Sequence, residues 1–525
     1  MKIILFRREV FLLAVITVLF SASSFAARPK FGLRLLGTYS TGIYNQGASE
    51  IVAYDAPTRR LFTVNGATSK IDVLSIAVPS APILLFSIDL AAYGRQANSV
   101  DIKNGIVAAA VEANVKTDNG KVVFFDANGN YLNAVTVGAL PDMVVFTPDG
   151  TKVLVANEGE PSSDYAVDPE GSVSIVNISG GIQNATVSTA GFSAFNSATL
   201  DASIRNFGPG ATVAKDLEPE YIAVSDDSKT AWVTLQENNA VGILDLTSGA
   251  FTKLVGLGYK NHNLLGNGFD ASDRDNANNI ANWQVFGMYQ PDGIAALKYK
   301  DESFFITANE GDAREYTGTP GFVEEIRVGS ATLDSVIFPN AATLTGIANL
   351  GRLNISKASG NTDGDPAYES LYTFGARSFS IWTAAGEQIF DSGDQIERIT
   401  ADAYPAYFNA SSTNNTRDDR SDNKGPEPEG VTTGQLFGRN YAFIGLERMG
   451  GILVYDITNP YSPQFAQYLN NRNFAEPTNT AGAGDLGPEG LHFINSKDSP
   501  NGSPMLVVAN EISGTTSIYQ FGKIR

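Results

Sequence analysis

Carboxylate side chains stand at regularly repeated positions along this sequence, each at one end of a short apolar segment. Near the C-terminus, Glu489 precedes the apolar segment Leu491 to Ile494, and Glu511 follows the segment Met505 to Asn510. If these segments pair as antiparallel strands, the start of the first lies beside the end of the second. Glu489 and Glu511 should therefore lie at the same end of one hairpin.

This arrangement occurs seven times along the chain, with weaker copies near the N-terminus. The acids that precede a first strand are Glu50, Asp142, Glu220, Asp292, Glu429 and Glu489, and the acids that follow a second strand are Glu112, Glu158, Glu237, Glu310, Glu447 and Glu511. Recurring β-units of this size, separated by insertions, indicate a propeller or a solenoid. In a ring, all of these carboxylates should surround a single opening.

Carboxylates gathered around one opening would repel each other strongly unless cations neutralised them. The chain has no cysteine and only two histidines, His262 and His492. The available ligands are therefore hard oxygens, which calcium and magnesium prefer. We interpret the acids as metal ligands, with calcium as the cofactor. The alternative is that they cap turns and accept hydrogen bonds from backbone amides, and the sequence leaves both interpretations open.

Two further loops are rich in aspartate. In the loop at residues 361–365, Asp363 and Asp365 alternate with other oxygen donors around a glycine, as in calcium-binding loops. This loop lacks the distal glutamate of an EF-hand. We include Asp363 and Asp365 among the predicted metal ligands. The second loop, at residues 270–275, has three aspartates, a composition more typical of a solvated turn.

Arginines lie beside several of these acids in the sequence. Arg314 follows Glu310 and Asp312, Arg377 follows a glycine-rich turn, and Arg448 follows Glu447. Arginine next to a bound cation could hold a phosphate or a carboxylate. The alternative is that the three arginines only balance the charge of the acids. The sequence contains no nucleophile elbow, phosphate loop or dinucleotide fingerprint, so no catalytic residue is assigned.

The elements that must position the acids are short β-strands. Their inner strands are apolar at consecutive positions, as expected when neighbouring sheets cover both faces. After Glu511 only one further strand remains, Thr515 to Phe521, while an extra strand, Leu33 to Tyr39, precedes the first repeat. We predict an all-β, seven-bladed β-propeller in which the N-terminal strand closes the last blade and protects an open edge.

The spacing of the repeats predicts one propeller domain over residues 27–525. Insertions are expected near residues 184–215, 262–290 and 311–427 because the distances between repeats are longest there. Within the last of these, residues 410–424 are polar, and we expect a mobile loop.

The formal net charge of −19 argues against nucleic acid as a partner, since phosphates require lysine and arginine. It is compatible with cation binding and also with solubility alone. The expected partners are metal cations and a phosphate-bearing or cell-surface ligand. We expect a monomer.

The N-terminus has the pattern of a signal peptide. Basic residues precede an apolar run from Val10 to Phe20, and Ser24-Phe25-Ala26 offers a cleavage site. The apolar run is too short for a comfortable membrane span, and no hydrophobic tail follows the last predicted strand. We predict a signal peptide over residues 1–26, no transmembrane segment in the mature chain, and a secreted or periplasmic location.

Several motifs resemble those of the choice-of-anchor I family: Asn309 to Tyr316, Arg377 to Trp382, Gly425 to Val431, Gly445 to Gly451, and Ala509 to Thr515. The resemblance covers nearly all of the mature chain. It implies a seven-bladed, YVTN/WD40-like propeller in an exported protein, usually with a C-terminal surface anchor. The family is similar to mesenchyme-specific cell surface glycoproteins, and some bacterial relatives are labelled as alkaline phosphatases.

These observations support one leading hypothesis and two alternatives. The leading hypothesis is an exported propeller that binds calcium and presents an acidic face to a ligand or surface. The first alternative is a calcium-dependent phosphoesterase of phytase-like or alkaline-phosphatase type, in which the acids hold metals that activate water and Arg314, Arg377 and Arg448 hold phosphate. The second is a scaffold that binds no metal.

Overall fold

Seven antiparallel sheets of four strands each form the framework of residues 30–524, the part of the chain that the computed structural model describes. The predicted all-β fold class is confirmed. The predicted signal peptide, residues 1–26, lies outside the described residues.

Five of the sheets are built from strands that follow one another directly along the chain. The fifth sheet has short strands of an insertion between its second and third strands, and the seventh also takes the N-terminal strand. The first three sheets have the following strands: Val52–Asp55, Arg60–Asn65, Lys70–Ser75 and Ile83–Asp89; Ala97–Lys103, Ile106–Val111, Asn119–Asp126 and Tyr131–Ala139; Pro141–Phe146, Lys152–Asn157, Ser172–Asn177 and Thr186–Gly191. The other four have these: Pro219–Val224, Thr230–Leu235, Ala240–Asp245 and Ala250–Gly256; Ile294–Tyr299, Glu302–Asn309, Ser378–Thr383 and Gln388–Asp391; Pro428–Leu436, Arg439–Leu446, Ile452–Asp456 and Gln464–Leu469; Pro488–Ile494, Met505–Asn510, Thr515–Ile524 and Lys30–Ser40.

The second strand of each sheet is buried on both faces because consecutive sheets pack against each other. In the third sheet, Val153 and Val155 pack towards the second sheet, and Leu154 and Ala156 pack towards the fourth. Such strands read as continuous apolar runs, since neither face meets water. The seventh sheet also packs on the first, with Val507 in the same hydrophobic cluster as Leu61 and Val52.

The N-terminal strand occupies the outer edge of the seventh sheet, as the sequence predicts. Lys30–Ser40 pairs antiparallel with Thr515–Ile524, with a bulge between Leu35 and Gly37. This pairing joins the two ends of the described chain in one sheet and covers the edge of the C-terminal strand.

The long insertions have structure of their own. Residues 184–215, predicted as an insertion, begin with the strand Thr186–Gly191, which is the outer strand of the third sheet. Shorter strands in the other insertions are Tyr259–Asn261, Phe286–Met288, Glu315–Tyr316, Phe322–Val323, Glu325–Arg327, Thr332–Leu333, Asn354–Ser356, Ala367–Tyr368 and Tyr372–Thr373. A separate hydrophobic cluster, including Phe269, Leu350 and Leu371, joins the insertions 262–290 and 311–427.

Helices are short and lie between strands. The α-helices within residues 30–524 are Val213–Asp216, Ala341–Leu344 and Gln395–Ala403, and the 3₁₀ helices are Gly66–Thr68, Ile182–Asn184, Ser193–Phe195, Val328–Ser330 and Ala481–Ala483. Across residues 30–524, no helix has the length and apolar character needed to cross a membrane.

The polar segment 410–424 differs from the expectation of a mobile loop, because much of it is buried. Arg472 donates hydrogen bonds to the backbone oxygens of Ser411 and Asn414, each at 2.7 Å, and Arg377 donates to that of Ser421 at 2.8 Å. Buried arginines thus donate hydrogen bonds to backbone oxygens of this segment, which its polar composition alone would predict to be bonded to water.

Candidate functional site

All seven sheets contribute to one cavity of about 190 Å³, which we call the central cavity. It is lined by residues at or near the starts of the first strands, together with two residues at the ends of second strands. The lining residues are Ile51, Asn98, Ser99, Asp142, Met143, Glu220, Tyr221, Gln236, Asp292, Glu310, Glu429 and Glu489. Five of the predicted first-strand acids therefore converge on this cavity, and Asn98 takes the corresponding position in the second sheet.

A β-bulge accompanies the first-strand acid in four sheets. In the third sheet, Pro141 pairs with Asn157, but the next paired residue is Val144, opposite Val155. The same shift follows the prolines that precede Glu220, Glu429 and Glu489. Bulges change the direction of side chains and are frequent beside functional sites. The proline-acid sequence therefore coincides with a shift in strand register that changes the direction of the acid.

A left-handed backbone residue precedes several of these prolines. Leu140 has a φ of 47°, Gln290 of 40° and Glu427 of 52°, and a glycine takes this place before Pro488. The carbonyl oxygen of Leu140 accepts a hydrogen bond from Glu158 N at 3.0 Å, and that of Glu427 accepts one from Glu447 N at 2.8 Å. Such strained non-glycine residues cluster at functional sites; here the turn fixes the acids of both strands.

The glycine after the acid allows adjacent sheets to approach at the cavity. A Cβ on Gly430 would lie 2.0 Å from the backbone oxygen of Glu489, and a Cβ on Gly490 would lie 2.4 Å from that of Glu50. Gly490 N donates a hydrogen bond to this Glu50 oxygen at 3.1 Å. Only glycine permits so close a contact between backbones.

The first-strand acids are difficult to ionise together. Burial, followed by repulsion from Glu511 and Asp142, raises the pKa of Glu50 to about 8. Burial and the Glu112 carboxylate raise the pKa of Asp142 to about 7. The same two causes, burial first and neighbouring carboxylates second, raise the pKa of Glu220, Asp292, Glu429 and Glu489 well above its usual range. Although these side chains are partly exposed to the cavity, the surrounding sheets leave little water to solvate them.

No lysine, arginine or histidine nitrogen within residues 30–524 lies within ion-pair distance, 4.0 Å, of a first-strand acid. Glu429 Oε2 and Glu489 Oε2 are buried and have no hydrogen-bond partner. One carboxylate oxygen from each of Asp292, Glu310 and Glu429 lies within 4.8 Å of the others. Convergent hard oxygens of this kind fit a calcium ion. Of the three acids, Glu310 is also paired with Lys424, at 2.7 Å.

Three of the second-strand acids have a cation of the chain beside them. Arg95 lies 3.4 Å from Glu112, Lys424 lies 2.7 Å from Glu310, and Arg448 lies 2.7 Å from Glu447. The pKa values of Glu158, Glu237 and Glu511 are raised, chiefly by burial. The second-strand acids thus form an outer, partly neutralised set around the first-strand acids.

Glu427 and Lys424 belong to this region but were missed by the sequence interpretation. Glu427 is fully buried and forms ion pairs with Arg420 at 2.6 Å, Arg448 at 3.0 Å and Lys424 at 3.2 Å. Burial opposes its ionisation, but these three cations outweigh burial and hold the pKa of Glu427 far below its usual range. The repeated proline-acid pair in Pro426-Glu427-Pro428-Glu429 was the sequence feature that could have identified Glu427 as part of this region.

The three arginines considered for phosphate binding are all occupied by groups of this chain. Arg314 is buried and forms ion pairs with Asp216 at 2.6 Å and Glu218 at 3.2 Å. Arg377, also buried, forms an ion pair with Glu397 at 2.5 Å. Arg448 bridges Glu427 and Glu447. These contacts favour the charge-balancing interpretation, because each of the three guanidinium groups is already paired with at least one carboxylate of the chain.

Asp363 and Asp365 do not line the central cavity. They lie in an exposed loop with Glu369. Asp365 Oδ1 accepts a hydrogen bond from Ala367 N at 2.6 Å, and Asp363 Oδ1 accepts one from Asp365 N at 3.1 Å. These hydrogen bonds are those of acids that cap turns. One carboxylate oxygen from each of Asp363, Asp365 and Glu369 also lies within 4.8 Å of the others, so their role as metal ligands stays a prediction.

These features define a β-propeller protein with an acid-lined central cavity. Residues 50–460 match the choice-of-anchor I domain, and the chain belongs to the choice-of-anchor I family.

Two curated relatives show local similarity. Gigasin-3a of Magallana gigas is 31% identical over 184 residues, which are 33% of this chain and 64% of that protein. The mesenchyme-specific cell surface glycoprotein of Strongylocentrotus purpuratus is 26% identical over 280 residues, 47% of this chain and 35% of that protein. The chain thus spans less than two thirds of the length of each.

Solved structures with similar folds have low sequence identity. Hydrazine synthase of Kuenenia stuttgartiensis aligns with a TM-score of 0.48 and 11% identity, covering 93% of this chain and 100% of that chain. The β-propeller domain of Cps50 (Swd1) from Myceliophteria thermophila aligns with a TM-score of 0.42 and 8% identity, covering 94% and 100%.

Proposed function

We propose that this protein is an exported, closed, seven-bladed β-propeller that binds calcium in its central cavity and uses the calcium-loaded face to hold an anionic group of a ligand or surface. Its membership of the choice-of-anchor I family and its similarity to a cell surface glycoprotein support a surface-associated or extracellular setting.

Contacts between consecutive sheets support the closed ring. Hydrophobic clusters join the first sheet to the second and the sixth to the seventh, and another joins the seventh to the first. The hydrogen bond from Gly490 N to Glu50 O connects the last and first sheets at the central cavity itself. A closed ring is the arrangement that leaves no sheet face unpaired.

One observation carries the calcium proposal: the first-strand acids converge without a compensating cation of the chain. Two like charges 4 Å apart cost roughly 4 kcal/mol at the effective dielectric constant of a protein surface. Asp292 and Glu429 approach each other in this way in the central cavity, so the metal-free protein must either protonate one of them or bear this repulsion. A divalent cation removes both costs.

Asp292, Glu310 and Glu429 are the residues best placed to hold the ion, because their carboxylate oxygens already converge. Calcium accepts six to eight oxygen ligands in flexible geometry, whereas magnesium requires a near-ideal octahedron. When bound, calcium would supply a positive charge with open positions for a carboxylate or phosphate of a ligand. Tyr221 and Gln236 line the same cavity and would contact such a ligand.

The phosphoesterase alternative receives no comparable support. It requires arginines that face the metal and hold phosphate, but Arg314, Arg377 and Arg448 are engaged by carboxylates of the chain. We therefore propose that the protein is a binding module and not a phosphoesterase.

Calcium titration calorimetry of the chelator-treated protein tests the proposal. We expect binding to weaken at least tenfold in Glu429→Gln and to remain unchanged in Asp301→Asn, which removes an exposed acid from the turn before the strand Glu302–Asn309. Equal calcium binding by wild type and Glu429→Gln, or none by the wild type, would refute it. A far-ultraviolet circular dichroism spectrum of each variant checks that the fold is retained.

A further inference from the structure

A second group of carboxylates lies away from the central cavity, between two insertions. Asp270 and Asp275 belong to the segment 262–290, and Asp418 belongs to the segment 404–424. One carboxylate oxygen from each of the three lies within 4.8 Å of the others. Asp270 and Asp418 are buried, with exposed fractions of 0% and 2%, and Asp275 is half-buried.

No cation of the chain compensates this group. Within residues 30–524, no lysine, arginine or histidine nitrogen comes within 4.0 Å of these three carboxylates. The group Glu310, Glu427 and Glu447 meets the same 4.8 Å distance. In that group, however, a lysine or arginine side chain pairs with each acid. The chain thus neutralises one buried acidic group and leaves the other without a partner.

An unpartnered oxygen points to a ligand at this position. Asp418 Oδ1 accepts a hydrogen bond from Ser421 Oγ at 2.5 Å, whereas Asp418 Oδ2 is buried without any hydrogen-bond partner. Burial is the main cause that raises the pKa of Asp270 and of Asp418. Repulsion within the group adds to it: Asp418 raises the pKa of Asp270, and Asp275 raises that of Asp418. The free oxygen of Asp418 therefore belongs to a side chain that faces the other acids.

A neutral oxygen without a partner lies in the loop that carries Asp275. Asn278 lies in the loop that carries Asp275, and its Nδ2 donates a hydrogen bond to Pro405 O at 3.0 Å, across the junction of the two segments. Its Oδ1 is a buried atom without a partner. Buried polar groups are normally satisfied, so orphan oxygens from both segments indicate a missing positive partner.

We propose that Asp270, Asp275 and Asp418 form a binding site for a divalent cation of the calcium class, distinct from the central cavity, and that this cation ties the segment 262–290 to the segment 404–424. Hard carboxylate and amide oxygens are the donors that such a cation takes. The site rests on contacts separate from those that support calcium binding in the central cavity.

The cation would complete a junction that the chain has already begun. Arg377 donates hydrogen bonds to Asp270 O at 2.8 Å and to Ser421 O at 2.8 Å, so it bridges the same two segments. The second segment continues directly to Lys424, which reaches Glu310 in the central cavity. Occupancy of the junction would therefore hold the polypeptide that supplies this lysine.

The experiment compares Asp275→Asn and Asp418→Asn with Asp273→Asn. Asp273 lies in the same loop, but its carboxylate is already paired with Arg352 at 3.0 Å and Arg274 at 2.8 Å, so it serves as the matched control. Asp275 is half-buried, so its variant should fold even if Asp418→Asn does not. Calcium stoichiometry is measured by calorimetry on chelator-treated protein, and hydrogen exchange of both segments is measured with and without calcium.

We expect Asp275→Asn and Asp418→Asn to lose one bound calcium per chain and the calcium-dependent protection of both segments. Asp273→Asn and Glu429→Gln should keep that protection, and Glu429→Gln should lose a different ion. Unchanged stoichiometry and protection in Asp275→Asn, or protection in the wild type that does not depend on calcium, would overturn the proposal. Glu429→Gln tests calcium binding in the central cavity alone. If that proposal fails, the result for Asp270, Asp275 and Asp418 can still be interpreted.

Discussion

Lys424 Nζ lies 2.7 Å from Glu310 Oε1 and 3.2 Å from Glu427 Oε2, so a cation of the chain sits at the edge of the acid-lined central cavity. Burial opposes the charge of Lys424, but the surrounding carboxylates outweigh burial and raise its pKa well above the usual range. Glu310 is also one of the three acids best placed to hold calcium. Lys424 and a calcium ion would therefore compete for the same carboxylate.

This competition predicts that Lys424→Met binds calcium more tightly than the wild type, by about tenfold for each 1.4 kcal/mol of repulsion removed. Without calcium, the variant should lose stability by about 3–5 kcal/mol, since a buried ion pair has lost one partner. Calorimetry and chemical denaturation measure the two effects. Lys497→Met, at an exposed lysine, is the control. Weaker calcium binding in Lys424→Met would show that the lysine supports the ion.

Two glutamates near the cavity should respond to neutralisation with opposite signs. Glu489 has no cation beside it, so at a pH above its raised pKa, Glu489→Gln should stabilise the metal-free protein by roughly 1–4 kcal/mol, the repulsion of one pair of like charges 4 Å apart in water or near a protein surface. Glu427 is surrounded by Lys424, Arg420 and Arg448, so Glu427→Gln should destabilise it by about 3–5 kcal/mol. Chemical denaturation in chelator measures both changes. Equal signs would contradict the charge distribution described here.

The placement of the acids could be predicted because it depends on local sequence. A proline-acid start, an apolar run, a turn and a second run define a hairpin, and the observed pairing of Pro488 with Asn510 brings Glu489 and Glu511 to one end. The outer strand Thr186–Gly191 was missed because its mostly exposed, polar residues resemble a loop.

The counter-ions could not be predicted, because their partners lie far away in the chain. Arg314 meets Asp216, and Lys424 meets Glu310, only through the packing of insertions on the propeller. The sequence places Arg314 next to Glu310 and Asp312, and this proximity suggested that Arg314 holds a phosphate or carboxylate beside a bound cation. The junction of Asp270 with Asp418 is non-local for the same reason.

A glycine follows the first-strand acid in the fifth, sixth and seventh sheets, and it should be required for the packing of consecutive sheets. Gly430→Ala places a Cβ about 2.0 Å from Glu489 O, and the resulting overpacking should cost roughly 1–3 kcal/mol in the free energy of unfolding. Gly191→Ala is the matched control, because a Cβ there meets no atom within 4 Å. Thermal and chemical denaturation compare the two variants. If Gly430→Ala is as stable as Gly191→Ala, the contact between the sixth and seventh sheets is not tight.

The raised pKa values of the first-strand acids predict how stability depends on pH. Burial and neighbouring carboxylates raise the pKa of Glu50 to about 8 and that of Asp142 to about 7. Between the unfolded values, near 4, and these folded values, the native state binds more protons than the unfolded state. Stability of the metal-free protein should therefore fall as pH rises from about 4 to about 8.

Calcium should reverse this dependence, because it binds the ionised carboxylates and its affinity rises as protons leave. At a calcium concentration 100 times the dissociation constant, binding should add about 2.7 kcal/mol at pH values above the folded pKa values, and little near pH 5. Denaturation curves across this range, with calcium and with chelator, measure both effects. Glu50→Gln should flatten the metal-free profile, whereas Asp363→Asn should not. A metal-free protein whose stability rises from pH 5 to pH 8 would show that its acids are ionised and satisfied without a cation, which is the turn-capping interpretation.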